Sequence, residues 1–226
     1  MIAEKLVHID PRVVPVCRVD NHLPVVPRNS LEPQALRQRF LFPPDWEPEF
    51  FSEKKFSDRT PVHAAVLLAL VMHNEPTVLL TQRSQHLSSH SGQIAFPGGK
   101  LDETDADARA AALRETYEEV GLEPDFVEIL GQLPIYITGS AYVVTPVVAL
   151  VQPGFTLNPS AEEVADVFEV PLQFLMNPAH HRHHRVCWQG ADREWLSMPY
   201  SDAHAERFIW GATAGMLRNF YRFLSA

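Results

Sequence analysis

The stretch "RETYEEVGL", Arg114 to Leu122, places three glutamates within five positions of a segment that reads as helix. At about 100° per residue, with Glu115 as reference, Glu119 falls roughly 40° to one side and Glu118 roughly 60° to the other. All three carboxylates therefore leave from one face. Like charges at this spacing cost an isolated helix roughly 0.2–0.5 kcal/mol per pair, and more where the face is sheltered. A positive group is expected opposite them, and a hard divalent cation with oxygen ligands meets that need. The plain alternative is a solvated acidic helix face, common in acidic proteins.

Upstream, "SQHLSSHSGQIAFPGGKLDETD" is dense in Ser, Gly and Asp and ends where an alanine-rich helix begins. The spacing predicts a helix from Thr104 or Asp105 to Val120. Thr104 or Asp105 serves as N-cap, Asp107 completes a capping box if Thr104 caps, and Gly121 stops the helix. Ala106, Ala110, Leu113, Tyr117 and Val120 form the stripe expected to pack, opposite the glutamates.

Further out, "HAAVLLALVMH" and "TVLLTQR" read as two strands joined by a turn at "NEP", a hairpin of a central sheet. "FVEILGQLPIYI" and "YVVTPVVALV" read as more strands, and "SAEEVADVFEVPLQFL" as a loop running into short helical turns. "HHRVCW" and "REWLSMPY" suggest a late hairpin, and "FIWGATAGMLRNFYRFL" a C-terminal helix whose small residues suit close packing. The expected fold class is α/β, a mixed sheet with helices on both faces. Eight of the 19 prolines fall in the first fifty residues, around one short helical pattern, "LEPQALRQRFL". That region, residues 1–60, reads as a proline-rich arm over a core domain spanning 61–226.

Composition limits the partners. A chain of 226 residues with 46% hydrophobic and 21% charged residues buries a full core. A net charge of -9 and a pI near 5.6 argue against a nucleic-acid or anionic-membrane surface, since both need a basic face. An anionic substrate then depends on metal and local arginines. The two cysteines, Cys17 and Cys187, lack the spacing of a disulfide framework or zinc ribbon, which points to a reducing cytoplasm. "MIAEKLVHID" is not a secretory leader, and the apolar run Ala64 to Met72 is too short to span a bilayer. "HHRHH", His180 to His184, reads as a solvated connection, without a Cys or Asp partner at ligand spacing.

With these residues in view, "GGKLDETDADARAAALRETYEEVGL" resembles the Nudix box of the Nudix hydrolases. The match is complete from Arg114 onward except for Thr116 at a usually apolar position. Upstream it departs, because Asp105 stands where, after five residues counted from Gly99, the family has Glu, and one extra residue then separates it from Arg114. The resemblance implies the Nudix fold, an α/β/α sandwich with a mixed β-sheet. It also implies hydrolysis of nucleoside diphosphates linked to another group, with Mg²⁺ (or Mn²⁺) as cofactor. Opening a diphosphate needs neutralised phosphoryl oxygens and an activated water, which such a metal provides. The resemblance makes Glu115 and Glu119 the leading metal ligands, followed by Glu118 and the Gly99 carbonyl, with Arg114 pairing to a nearby glutamate.

"LLTQRSQHLSSHSGQIAFPGGK", Leu79 to Lys100, resembles the signature of the coenzyme A pyrophosphatase branch. Arg83, Ser84, Gly92, Phe96, Pro97, Gly98 and Gly99 fall in place, and Arg83, Ser84, Gly92, Phe96 and Gly98 are the implied substrate contacts. Ser88 stands where that branch carries a basic residue, with His86 and His90 as partial substitutes. Arg83 by spacing alone suits either a bidentate phosphate contact or a surface salt bridge. For the catalytic base the candidates are Glu118 in the box and Glu163 in "PSAEEVADVFEVPL", with Glu162 its rival; either of the latter also suits a helix N-terminus. The implied substrate is coenzyme A or a thioester of it. The alternatives are ADP-ribose or a dinucleotide, and a non-catalytic Nudix-shaped module. A homodimer is left open.

Overall fold

The computed structural model describes residues 10–50, 52–53, 55, 59–87, 89–188 and 191–226. In chain order its elements are β1 (Val16–Val19), α1 (Pro33–Leu41), β2 (Val62–Val71), β3 (Thr77–Arg83), β4 (Ile94–Ala95), β5 (Gly98–Lys100) and α2 (Ala108–Val120). There follow β6 (Val127–Gln132), β7 (Tyr136–Ile137), β8 (Tyr142–Val151), β9 (Val164–Pro171), α3 (Leu172–Leu175), β10 (Arg182–Trp188), β11 (Ala191–Ser201), β12 (Glu206–Trp210) and α4 (Gly211–Ser225).

β2 organises the large sheet. It runs parallel to β8 from Val62↔Tyr142 to Val71↔Val151, and every other pairing in the described sheets is antiparallel. Being covered on both sides, β2 and β8 read as continuous apolar runs rather than alternating ones. Ala65, Leu67, Ala69 and Val71 pack with Ala111, Ala112 and Val120 of α2. Ala64, Leu68 and Leu70 point the other way, into a cluster with Leu217 and Phe220 of α4 and with Leu196 and Ile209 of a second, four-stranded sheet. The fold is therefore α/β with a mixed sheet between helices. The other edge of β2 is shared: β3 pairs at Leu70 and Val71, and β5 at Ala64, Ala65 and Val66. This delivers the Gly98–Gly99 backbone to the middle of the sheet.

Three expectations for the large sheet and α2 change. Val164–Pro171, expected as loop, is strand β9, paired with β3 from Thr77↔Pro171 to Arg83↔Val164. Its acidic residues hide a period of two in which Val164, Phe168 and Val170 are buried, and the free edge of β3 supplies the partners. Helix α2 starts later than predicted, because Asp107 is its N-cap and accepts from Arg109 N–H and Ala110 N–H. Thr104 and Asp105 lie in the preceding loop. The packed stripe is also rotated. Tyr117 is 48% exposed and Ala106 is exposed, while Ala111, Ala112, Thr116, Glu119 and Val120 are buried. Alanines allow close approach to β2, and that approach carries Glu119 inward with them.

The late hairpin is present as β10–β11, extended by β12 on one side and by β1 on the other. Residues 16–50 contribute β1, α1 and the buried side chains Val26, Leu31 and Leu36. "HHRHH" is not a solvated connection: His181 and His184 are buried, and His183 Nε2 lies 2.6 Å from Asp20 Oδ2. Among the described residues no helix is long and apolar enough to cross a membrane.

Candidate active site

A cavity of about 450 Å³ opens where α2, β5, β4 and the start of α4 converge. Its lining includes Glu115, Glu119, Glu163, Arg83, Phe96, Gly98 and Gly99. Glu119 is 4% exposed; its Oε2 accepts from Gly98 N–H at 2.9 Å and its Oε1 faces Arg83 Nη1 at 3.5 Å. Burial pushes its carboxyl up to about 7, Glu163 and Glu115 add to that, and Gly98 and Arg83 oppose it. Burial likewise raises Glu115, against Arg114. Keeping Glu119 ionised here costs roughly 3 kcal/mol relative to water. A cation beside these carboxylates offsets that cost, so the donor set fits a hard divalent metal.

The glycines make this approach possible. A Cβ on Gly99 would lie 2.2 Å from Glu115 Oε2, so strand and glutamate can meet only over glycine. Gly98 has φ +147, and a Cβ there would lie 2.4 Å from the Ala65 carbonyl oxygen.

Arg114 does not face the cavity. Its Nε and Nη2 donate to Asp105, Nη2 also to the Lys100 carbonyl, and Nη1 to Glu115 and Glu118. All five guanidinium donors are thereby used. The sequence left the role of Asp105 open; here it braces Arg114, and that contact holds its carboxyl down to about 2. Glu118 is 56% exposed on its side chain, is held by Arg114, and lies outside the cavity lining.

Glu163 reaches the cavity on a loop tied to the C-terminus of α2. Asn158 N–H donates to the Val120 carbonyl, Ser160 N–H to the Glu119 carbonyl, and Ser84 N–H to the Glu163 carbonyl. Glu162 is exposed and outside the lining. Arg83 has a buried Nε without a hydrogen-bond partner among the described residues. Ser84 and Gly92 lie behind the wall: Ser84 is buried, and Gly92, at φ +68, turns the loop back so that its N–H meets the Arg83 carbonyl. His86 is outside the lining and His90 within it. Ser88 lies outside the described residues.

Sequence reading missed Glu53, Thr138, Ser140, Tyr142 and Trp210, which line the same cavity. Glu53, Thr138, Ser140 and Tyr142 carry no motif, whereas Trp210 lies in "IWGATAGML", which reads in the sequence as a closely packed helix but lines the cavity through Trp210, Gly211, Ala212, Thr213 and Met216. It also missed a group of Asp20, Glu49 and His183, whose ligand atoms all lie within 4.8 Å of one another. Arg218 sits among them, with Nη2 3.0 Å from Asp20 Oδ2 and Nε 2.7 Å from Glu49 Oε2, and Arg18 adds a contact to Asp20. Guanidinium charge already balances those carboxylates, so the cluster is an ion-pair network tying residues 20–49 to α4.

Residues 61–189 match the NUDIX domain family model. The chain is 44% identical over 156 residues, 69% of its own length and 79% of the relative's, to a protein from Escherichia coli (strain K12) named "Uncharacterized Nudix hydrolase NudL". It is similar to the same extent to one of that name from Enterobacter sp. (strain 638). Among solved structures, a C. elegans Ap4A hydrolase in a binary complex aligns at 24% identity over 52% of this chain and 85% of that one, with TM-score 0.43. The fold and the glutamate-lined cavity define an enzyme of the hydrolase class. The chain belongs to the Nudix family.

Proposed function

We propose that this Nudix hydrolase cleaves the diphosphate of coenzyme A or its thioesters, giving 3',5'-ADP and the corresponding 4'-phosphopantetheine. The observation that carries the reading is Arg83, which lines the cavity beside Glu119 and has a buried Nε without a partner among the described residues. It lies within the Leu79–Lys100 stretch that resembles the coenzyme A branch. A guanidinium so placed suits a phosphate oxygen. Glu115 and Glu119, with the Gly99 carbonyl, would hold Mg²⁺ or Mn²⁺, which when bound neutralises the phosphoryl oxygens and acidifies an attacking water.

The chain's own groups do the rest. Gly98 N–H fixes Glu119, Arg114 fixes Glu115, and Glu163 is the carboxylate available to take a proton from water. Phe96 and Val66 give the cavity part of its apolar wall. Ser84 and Gly92 hold Arg83 and its loop in place and need not touch substrate. Glu118 acts through Arg114.

Ser88, where a basic residue would grip an additional phosphate, favours a second reading in which ADP-ribose or a dinucleotide is the substrate. Retention of all three box glutamates speaks against a non-catalytic module. Incubation with coenzyme A and Mg²⁺, followed by chromatography with Glu119→Gln as blank, tests the proposal. Formation of 3',5'-ADP and 4'-phosphopantetheine only with the unsubstituted protein supports it. Intact coenzyme A beside cleaved ADP-ribose or dinucleotide replaces it with the second reading.

A further inference from the structure

Glu53, a residue no motif marks, contributes to the cavity lining. Ser52 bridges Ile137, and Glu53 N–H donates to the Ile137 carbonyl at 2.8 Å, so this short segment lies along β7. The Glu53 carboxylate then accepts the Tyr136 hydroxyl at 3.1 Å on Oε1 and Gly139 N–H at 2.9 Å on Oε2. Tyr136 is buried, and burial beside Glu53 raises its pKa, so it stays a donor. Beyond Gly139, Ser140 Oγ lies 3.3 Å from His90 Nε2, joining the two loops across the cavity. His90 and Ala141 hold positive φ, 55° and 69°, at that junction.

Glu53 is half-buried and lines the cavity, and among the described residues both of its hydrogen-bonding partners are neutral donors. An ionised carboxylate has about four lone-pair sites, and each oxygen uses one. A full negative charge facing a ligand that carries a diphosphate is unfavourable unless the ligand also brings N–H or O–H donors to it. We propose that Glu53 is a specificity-determining residue, accepting N–H or O–H donors from the non-phosphate part of the substrate. This rests on reading the cavity as a nucleoside diphosphate site. Donors of that kind occur in the amides and hydroxyl of pantetheine and in the exocyclic amine of adenine.

The test compares the unsubstituted protein, Glu53→Gln and Tyr136→Phe on coenzyme A, ADP-ribose, the methyl ester of ADP and the methyl ester of inosine diphosphate. Glu53→Gln should lower kcat/KM for coenzyme A about tenfold more than for the ADP methyl ester, mainly through KM. That outcome puts the donor on the pantetheine side. An equal loss on the ADP methyl ester that vanishes with the inosine analogue puts the donor on adenine and also supports the proposal. Tyr136→Phe, which keeps the carboxylate and removes one tether of the loop, should affect all substrates alike. If Glu53→Gln also lowers all four alike, Glu53 is only a loop tether and the proposal fails. If the unsubstituted protein cleaves ADP-ribose and leaves coenzyme A intact, the proposed substrate falls, and the Glu53 comparison is read on the remaining three.

Discussion

Arg114 grips Asp105 through two parallel hydrogen bonds, Nε to Oδ1 at 3.0 Å and Nη2 to Oδ2 at 2.8 Å. The bond spans the loop before α2 and anchors a guanidinium whose remaining donors hold Glu115, Glu118 and the Lys100 carbonyl. Asp105→Asn removes the paired geometry but keeps the size. Loss of a group that orients metal ligands typically costs tenfold to a hundredfold, so activity should fall about that much and be partly restored by excess Mg²⁺. Steady-state rates across a metal titration check this; unchanged rates would show that Arg114 needs no brace.

Glu119→Gln should separate stability from activity. Glutamine keeps an oxygen for Gly98 N–H and removes a buried charge that faces Glu115 and Glu163. With metal chelated, the variant should melt higher than the unsubstituted protein; with Mg²⁺ present it should be inactive. Calorimetric melting in chelator, alongside turnover, tests both halves, and a lower melting temperature would contradict the electrostatic account.

Gly99→Ala places a methyl group 2.2 Å from Glu115 Oε2. The atom in the way ends a flexible side chain, so Glu115 can swing aside with little effect on folding, but away from its position in the cavity. Activity should drop at least tenfold, roughly the loss expected when a metal ligand or its support is displaced. Circular dichroism should show the melting curve little changed; a large loss of stability would mean that the strand itself cannot accept the methyl group.

His181 should make the protein acid-sensitive. Arg218 Nη1 points at its Nδ1 at 3.0 Å and its Nε2 faces the Leu175 carbonyl at 2.8 Å, an arrangement that suits the neutral ring. Burial, with Arg218 and His180 adding and Leu175 and Asp20 opposing, takes its pKa from 6.5 down to about 4. The unfolded chain therefore binds the extra proton first. The contribution is complete above pH 6.5, is lost as pH falls toward 4, and amounts to roughly 3 kcal/mol. Asp20, whose carboxyl is also lowered, adds its loss at lower pH still. Urea unfolding between pH 7.5 and pH 4.5, as compared with His181→Asn, tests this; a pH-independent midpoint would exclude it.

Much of this was legible locally. The glutamate spacing, the double glycine and the stop at Gly121 specified a helix with clustered carboxylates, because those features depend only on helical geometry and on which residues tolerate tight turns. The buried strands of β2 and β8 announced themselves by continuous apolar runs. What the sequence could not assign was orientation. The stripe from Ala106 to Tyr117 reads as the packed face by hydropathy, but close approach to β2 favours alanines, and this turns Glu119 inward and Tyr117 out. β9 was invisible because its strand character depends on the edge of β3. Glu53 and the Asp20–His183–Arg218 network join segments more than eighty residues apart, so no local pattern marks them. The sequence determined the chemical groups and their helical frame. Only the tertiary structure decided which of them share one cavity, because burial and long-range hydrogen bonds are properties of the packed chain rather than of any stretch of it.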